Sequence, residues 1–190
     1  MLEREQAEDE QAQLLRRAAA RDAQALAAIY DQIAAPLYSV AVRILGDVNE
    51  AEEVIQDVFV QLWDKAATFD PMLGSAFHWA LSIARHRAID RLRARARKAR
   101  LMTTFQEMSE VDPPAMSGPA QSTEAAEEFA TVRAALAGLP NEQKQAIELA
   151  FFGGKTHLEI AEALHEPLGT IKARIRRGML KLRENLQTSA

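Results

Sequence analysis

The spacing of apolar residues is helical along almost the whole chain. Leu26, Ile29, Tyr30, Ile33, Leu37, Val40, Ala41 and Ile44 recur in steps of three and four, which predicts a helix over about residues 21–45. Pro36 lies inside that run and predicts a bend or a short break, because proline lacks the N–H a helix interior uses. Gly46 and Asp47 close it. Asn49, with Glu52 three residues on, has capping-box spacing, and Val54, Ile55, Val58, Phe59 and Leu62 form one face of a second helix. Val60 and Trp63 fall off that stripe. Residues 69–74, with Pro71 and Gly74, read as a loop. A third helix begins near Ser75 and runs through Phe77, Trp79, Ala80, Ile83, Ala84, Ile89 and Leu92. It is expected to dissolve in the Arg-Ala alternation of residues 93–97.

The pattern then breaks. Residues 111–121 hold Pro113, Pro114, Ser117, Gly118 and Pro119, and residues 103–121 read as a linker. A second unit follows. One helix runs from Thr123 to Ala137 and stops at Gly138, Leu139 and Pro140. Asn141 is expected to cap the next, which ends at Phe152, Gly153 and Gly154. Thr156 and Glu159 form a further capping box, opening a short helix to Leu164. His165, Glu166 and Pro167 make a turn into a last helix over residues 168–187. No strand-like alternation is sustained anywhere, so the expected fold is all-α. It comprises an acidic N-terminal segment (1–20), a helical domain (21–102), the linker (103–121) and a second helical domain (122–190). The acidic, Ala-rich start is either without structure or a short helix.

Composition narrows the function. The chain has 190 residues and 48% hydrophobic content, enough for two small cores. It has no cysteine, which removes disulfides, thiolate metal sites and cysteine nucleophiles. The acidic start (Glu3, Glu5, Glu8, Asp9, Glu10) is unlike a secretion signal, and no apolar run is read as membrane-spanning, so a soluble cytoplasmic protein is expected. The formal net charge of −4 argues against nucleic acid only until its distribution is seen. Residues 85–100 carry eight bases against Asp90 alone, and residues 172–183 carry six bases and no acid. Residues 101–130 carry six acids and no base. A phosphate backbone responds to such local fields and not to the total.

Residues 156–177 have the makings of a helix-turn-helix. Leu158, Ile160, Ala161 and Leu164 supply an apolar face on the first helix, and Ile171 and Ile175 face back from the second. Thr170, Lys172, Ala173, Arg174, Arg176 and Arg177 are left outward, where long donors reach base edges and phosphates. His165 stands at a turn position that favours glycine, which puts the turn geometry in question.

These residues carry a resemblance. The runs 159–164 (EIAEAL) and 167–174 (PLGTIKAR), after Leu139-Pro140 and Phe151-Phe152-Gly153-Gly154, resemble region four of extracytoplasmic-function (ECF) sigma factors, group four of the sigma-70 family. The runs 51–63 (AEEVIQDVFVQLW), 77–86 (FHWALSIARH) and 88–93 (AIDRLR) resemble region two of the same family. His165 and Glu166 depart from the usual small and aliphatic turn residues, and Gly178 stands where alanine is more usual, which predicts a slightly looser recognition helix.

The resemblance implies a transcription initiation factor that binds core RNA polymerase and promoter DNA. Gln56, Asp57, Val60, Gln61, Trp63 and Asp64 would meet the polymerase clamp, although Trp63 reads equally well as core. The loop and third helix would hold and open the −10 element through Met72, Ser75, Phe77, His78, Arg85, Arg87, Arg91 and Arg93. Trp79 reads as core and not as a stacking platform. The last helix would read the −35 element, with Lys172, Arg174, Arg176 and Arg177 in contact and Thr170 on a phosphate. An anti-sigma factor is implied as regulator, with the chain a monomer when free or one-to-one with that partner.

The alternative is a stand-alone helix-turn-helix regulator, which leaves residues 51–63 and 77–92 unexplained and usually needs a dimer. An enzyme is not expected. His78, His86, His157 and His165 form no metal-ligand spacing, and Gly153-Gly154-Lys155-Thr156 lacks the strand and upstream glycine of a phosphate loop. No cofactor, metal or catalytic residue is expected.

Overall fold

The computed structural model describes residues 2–102 and 134–188. Every regular element among them is helical. The chain divides into two compact units, Met1–Gly118 and Pro119–Ala190. The linker and most of the helix expected over residues 123–137 lie outside the described residues; residues 134–137 are helical.

The first unit is built from α1 (Leu2–Ala19), α2 (Ala23–Leu45), α3 (Val48–Lys65) and α4 (Ala76–Met102). The acidic start is thus a full helix. Ala12, Leu14, Leu15 and Ala18 bury one stripe of α1 against α2, with further contact to α3 and α4. Burying a leucine contributes about 2 kcal/mol, more than intrinsic propensity offers an isolated acidic segment, so packing makes this helix. It ends at Arg21, a left-handed residue (φ 67°) whose N–H donates to the Ala18 carbonyl at 2.9 Å. Asp22 then caps α2, accepting from the Gln24 and Ala25 N–H groups.

Helix α2 is the centre of the bundle, packed on α1, α3 and α4. By length and composition it is apolar enough to cross a membrane, contrary to the sequence reading. Its row Ala25, Ile29, Ile33, Leu37, Ala41, Ile44 and Leu45 is instead buried in the bundle. Pro36 neither breaks nor ends it; Ile33 and Leu37, buried on either side, hold the helix together across the missing N–H. Tyr30, expected on the inner face, is half exposed with its ring 4.7 Å from Phe59. Gly46 ends α2 in the left-handed conformation that glycine adopts without penalty, its N–H donating to the Val42 carbonyl at 2.8 Å.

The α3 cap is Asp47 and not Asn49. Asp47 is extended (φ −136°, ψ 125°) and accepts from the Glu50 N–H at 2.9 Å, which leaves Asn49 inside the first turn. Residues 66–68 form a single 3-10 turn just before the expected loop, and residues 71–73 form another within it. Helix α4 also corrects the sequence reading. It does not dissolve at residues 93–97 but continues to Met102. Alanine and arginine are strong helix formers, and Arg95 is anchored outside its own helix, on the Leu45 carbonyl at 3.1 Å.

In the second unit, α5 (Asn141–Phe151), α6 (His157–Leu164) and α7 (Leu168–Thr188) are fully described. Asn141 is the first helical residue, not the cap; Pro140 precedes it and makes no side-chain capping bond. Leu136, Leu139 and Ile147 form one core cluster with Leu182. Ile160, Ala161 and Ile171 form another, with Leu149, Ala150, Leu164 and Ile175 against it.

Candidate nucleic-acid interface

The second unit presents a helix-turn-helix. The capping box opening α6 is complete. The Glu159 N–H donates to Thr156 Oγ1 at 3.3 Å, and the Thr156 N–H donates to Glu159 Oε2 at 2.6 Å. Leu158, expected on the inner face, is 57% exposed. His165 takes the left-handed conformation (φ 53°, ψ 40°) that the turn requires, so the absence of glycine does not prevent it. The Glu166 N–H donates to the Ala161 carbonyl at 3.0 Å.

The outward face of α7 is smaller than the sequence suggested. Lys172, Arg176 and Arg177 are exposed, while Thr170 and Ala173 are half-buried. Arg177 Nε donates to its own helix at the Ala173 carbonyl, 3.3 Å away. Arg174 is not an exposed donor. Its side chain is only 14% exposed, and its Nη2 lies 3.0 Å from Glu142 Oε2 on α5 and 2.9 Å from Glu166 Oε1 in the turn. Glu166, an oddity in the sequence, is therefore half of a clamp. Gly178 is also reinterpreted. It is buried against α5, and an added Cβ would meet Ile147 Cδ1 at 2.7 Å and Gln143 Cβ at 3.2 Å. Its lack of a side chain allows close packing.

In the first unit the basic helix α4 lies against α3, and acids on α3 face its arginines. Arg87 Nε donates to Gln61 Oε1 at 3.1 Å. Arg91 binds Glu53, and Arg95 Nη1 lies 3.5 Å from Glu50 Oε2. The Glu53 bond, aided by charges on Glu50 and Asp57, raises the Arg91 pKa above its ordinary value. Burial, then the neighbouring charge of Arg93, lowers that of half-buried Arg85. Arg93 is exposed. Also exposed on α3 are Gln56, Asp57, Asp64 and Val60, the last 62% exposed. Trp63 is neither core nor free surface: half-buried, it has the Arg21 guanidinium 5.3 Å from its ring centroid.

The loop before α4 projects Met72, 89% exposed. Ser75 Oγ accepts from the His78 N–H at 3.4 Å and lies 2.7 Å from His78 Nδ1 in a second hydrogen bond, so serine and imidazole orient one another. Phe77 is half-buried, its ring edge-on to His78 at 5.8 Å. Trp79, half-buried, packs on Phe69 at 5.5 Å. Behind the loop lies a cavity of about 370 Å³, lined by Phe69, Met72, Leu73 and Ser75 on one side and by Glu8 and Asp9 of α1 on the other. Sequence reasoning missed the α1 contribution. No local signal links residues 8–9 to residues 69–75.

Two family models match the chain: Sigma-70 region 2 over residues 29–98 and Sigma-70, region 4 over residues 129–182. The ECF RNA polymerase sigma factor SigK of Mycolicibacterium vanbaalenii is 39% identical over 173 residues, covering 91% of this chain and 87% of that protein. The chain belongs to the ECF sigma factors of the sigma-70 family. A second relative of this ECF sigma factor, SigK of Mycobacterium tuberculosis, is 36% identical and covers 93% of each chain. Among solved structures, Rhodobacter sphaeroides SigE in complex with the anti-sigma ChrR is 32% identical, covering 93% of this chain and 98% of that one, with a TM-score of 0.48. Within this sigma factor, region 2 falls on α2 to α4, and region 4 takes in α5, α6 and most of α7.

Proposed function

We propose that this ECF sigma factor binds core RNA polymerase through the outward face of α3, and that it selects promoters with α4 and its preceding loop at the −10 element and α7 at the −35 element. The observation that carries this is the exposed basic edge of α7, Lys172, Arg176 and Arg177, set on a helix-turn-helix whose turn is held by Arg174. Side chains so placed reach base edges and phosphates in a major groove. Arg174 then acts as a positioning residue, holding the recognition helix to α5. Gln56, Asp57, Val60, Gln61, Trp63 and Asp64 supply a partly apolar surface with polar neighbours, a composition suited to a protein partner. The loop tip with Met72 and Ser75, the rings of Phe77 and His78, and Arg85, Arg87, Arg91 and Arg93 supply apolar, stacking and charged groups for an unpaired strand. A separate anti-sigma factor is the regulator that family membership supports, with action in the cytoplasm and the chain a monomer when free or one-to-one with that factor.

The test is reconstituted transcription with core RNA polymerase and genomic promoter fragments. New starts that need both components, share two upstream elements and disappear in the Lys172→Ala, Arg176→Ala double variant support the reading. Tight duplex binding by the protein alone, with no polymerase-dependent start, overturns it.

A further inference from the structure

We infer that Arg95 is a positioning residue: seated on Glu50 and on the Leu45 carbonyl, it aims the last turns of α4 so that Arg93 and Arg97 meet the phosphates of promoter DNA. This rests on the reading above that α4 meets the promoter. The apolar core carries α4 for only part of its length. Ile89 is buried and Leu92 half-buried, and residues 93–99 are all exposed. A few exposed turns are marginal as helix on their own, so a polar tie decides their course. Arg95 supplies one. It stands nearly two full turns after fully buried Ala88, and so on the face that α4 turns to the bundle. Its Nη2 donates to the Leu45 carbonyl at 3.1 Å, and its Nη1 lies 3.5 Å from Glu50 Oε2.

Both acceptors suit a cation. Leu45 is the last residue of α2, and the final carbonyls of a helix lack partners within it and carry the negative end of its dipole. Glu50, in the first turn of α3, is half-buried, with an Oε2 that solvent barely touches. Arg91 Nε lies 4.0 Å from the same oxygen. One guanidinium thus ties α4 to two helices at the α2–α3 corner. The bases two positions away point elsewhere. At 3.6 residues per turn, Arg93 and Arg97 lie nearly opposite Arg95, and both are exposed. The same spacing recurs in α7. There Lys172, Arg174 and Arg176 alternate, the middle arginine goes to Glu142 and Glu166, and the outer two stay exposed. Arg95 makes the looser tie of the two, its side chain 46% exposed against 14% for Arg174.

The experiment measures binding of a labelled promoter fragment by the full chain assembled with core RNA polymerase, over a range of salt concentrations. The fragment comes from a start mapped in the transcription assay. A base that meets a phosphate releases counterions, so its loss lowers the slope of log affinity against log salt by about 0.7–0.9. Arg93→Ala and Arg97→Ala should each lower affinity and slope in this way. Arg95→Ala should lower affinity by up to about fivefold, the scale of a half-exposed ion pair, and leave the slope unchanged. Glu50→Gln is the sharper test. It removes a negative charge that repels DNA, so electrostatics alone predicts tighter binding, whereas loss of the Arg95 seat predicts weaker binding. Circular dichroism checks that each variant stays folded. A slope that falls with Arg95→Ala makes Arg95 itself a phosphate contact and overturns the inference, as does tighter binding by Glu50→Gln. If Arg93→Ala and Arg97→Ala act as expected while Arg95→Ala changes nothing, the reading of α4 stands and the positioning role falls. If none of the four variants changes binding, both fall.

Discussion

Helices α4 and α7 are the two basic tracks of this chain, and they use their arginines differently. On α4, Arg87, Arg91 and Arg95 reach across to Gln61, exposed Glu53 and half-buried Glu50 of α3. Pairs as exposed as Arg91–Glu53 contribute little to stability. On α7 the labour is divided. Arg174 is withdrawn into a clamp with Glu142 and Glu166, while Lys172 and Arg176 remain outside. Charge density alone therefore does not separate a base that stays exposed from one tied to neighbouring helices. Burial and the neighbouring acids separate them.

The largest effect should follow from Arg174→Ala. It removes a mostly buried side chain together with its charge-assisted hydrogen bonds to exposed Glu142 and half-exposed Glu166, and should cost the second unit about 2 kcal/mol in thermal or urea unfolding. Arg176→Ala should change stability by less than about 0.5 kcal/mol yet weaken −35 binding. Equal stability losses in the two variants would erase the contrast within α7.

Gly178→Ala tests how closely α7 sits on α5. The alanine gains about 1 kcal/mol of helix propensity but forces Ile147 and Gln143 to move, and overpacking costs about 1–3 kcal/mol. A net loss near 1 kcal/mol in denaturant unfolding is expected. A gain would mean that Ile147 relaxes freely.

For α4, Arg91→Ala should cost less than about 1 kcal/mol in stability, as exposed pairs do. Open-complex formation on duplex promoters should fall more steeply, and binding of a single-stranded −10 oligonucleotide should grow less salt-sensitive. A large stability loss without an effect on opening would make Arg91 a structural tie like Arg174.

The smallest effect concerns pH. The Arg17 hydrogen bond, then the Ala25 N–H, hold the Asp22 carboxyl below the usual aspartate range. A lowered folded value means that the ionised form favours the fold. Its contribution is complete above the unfolded aspartate value and is lost as pH falls through the folded one. Asp22→Asn should therefore flatten the acid limb of a stability-against-pH curve and leave neutral behaviour nearly intact.

Much of this was legible in the residues. Helical spacing located the helices, the Thr156–Glu159 capping box opened α6 as read, and Ile160, Ala161 and Ile171 proved to be core. These are local properties, set by residues within one or two turns. The family was legible from runs of adjacent residues for the same reason. Some local readings still missed the register: Asp47 took the cap from Asn49, and Leu158 turned outward. Helix α4 ran on past its expected end, with Arg95 tied to the Leu45 carbonyl of a helix distant in sequence.

By itself the chain determined the all-helical class, the two basic tracks and the family, because periodicity, charge and motif are written in order along it. Only tertiary structure decided that the acidic start is a packed helix with Glu8 and Asp9 at a cavity 60 or so residues away in sequence, that Arg174 faces Glu142, and that Gly178 touches Ile147. Each of these joins residues from different helices. The energy of such a contact depends on where the hydrophobic core sets those helices, which no single stretch of sequence contains.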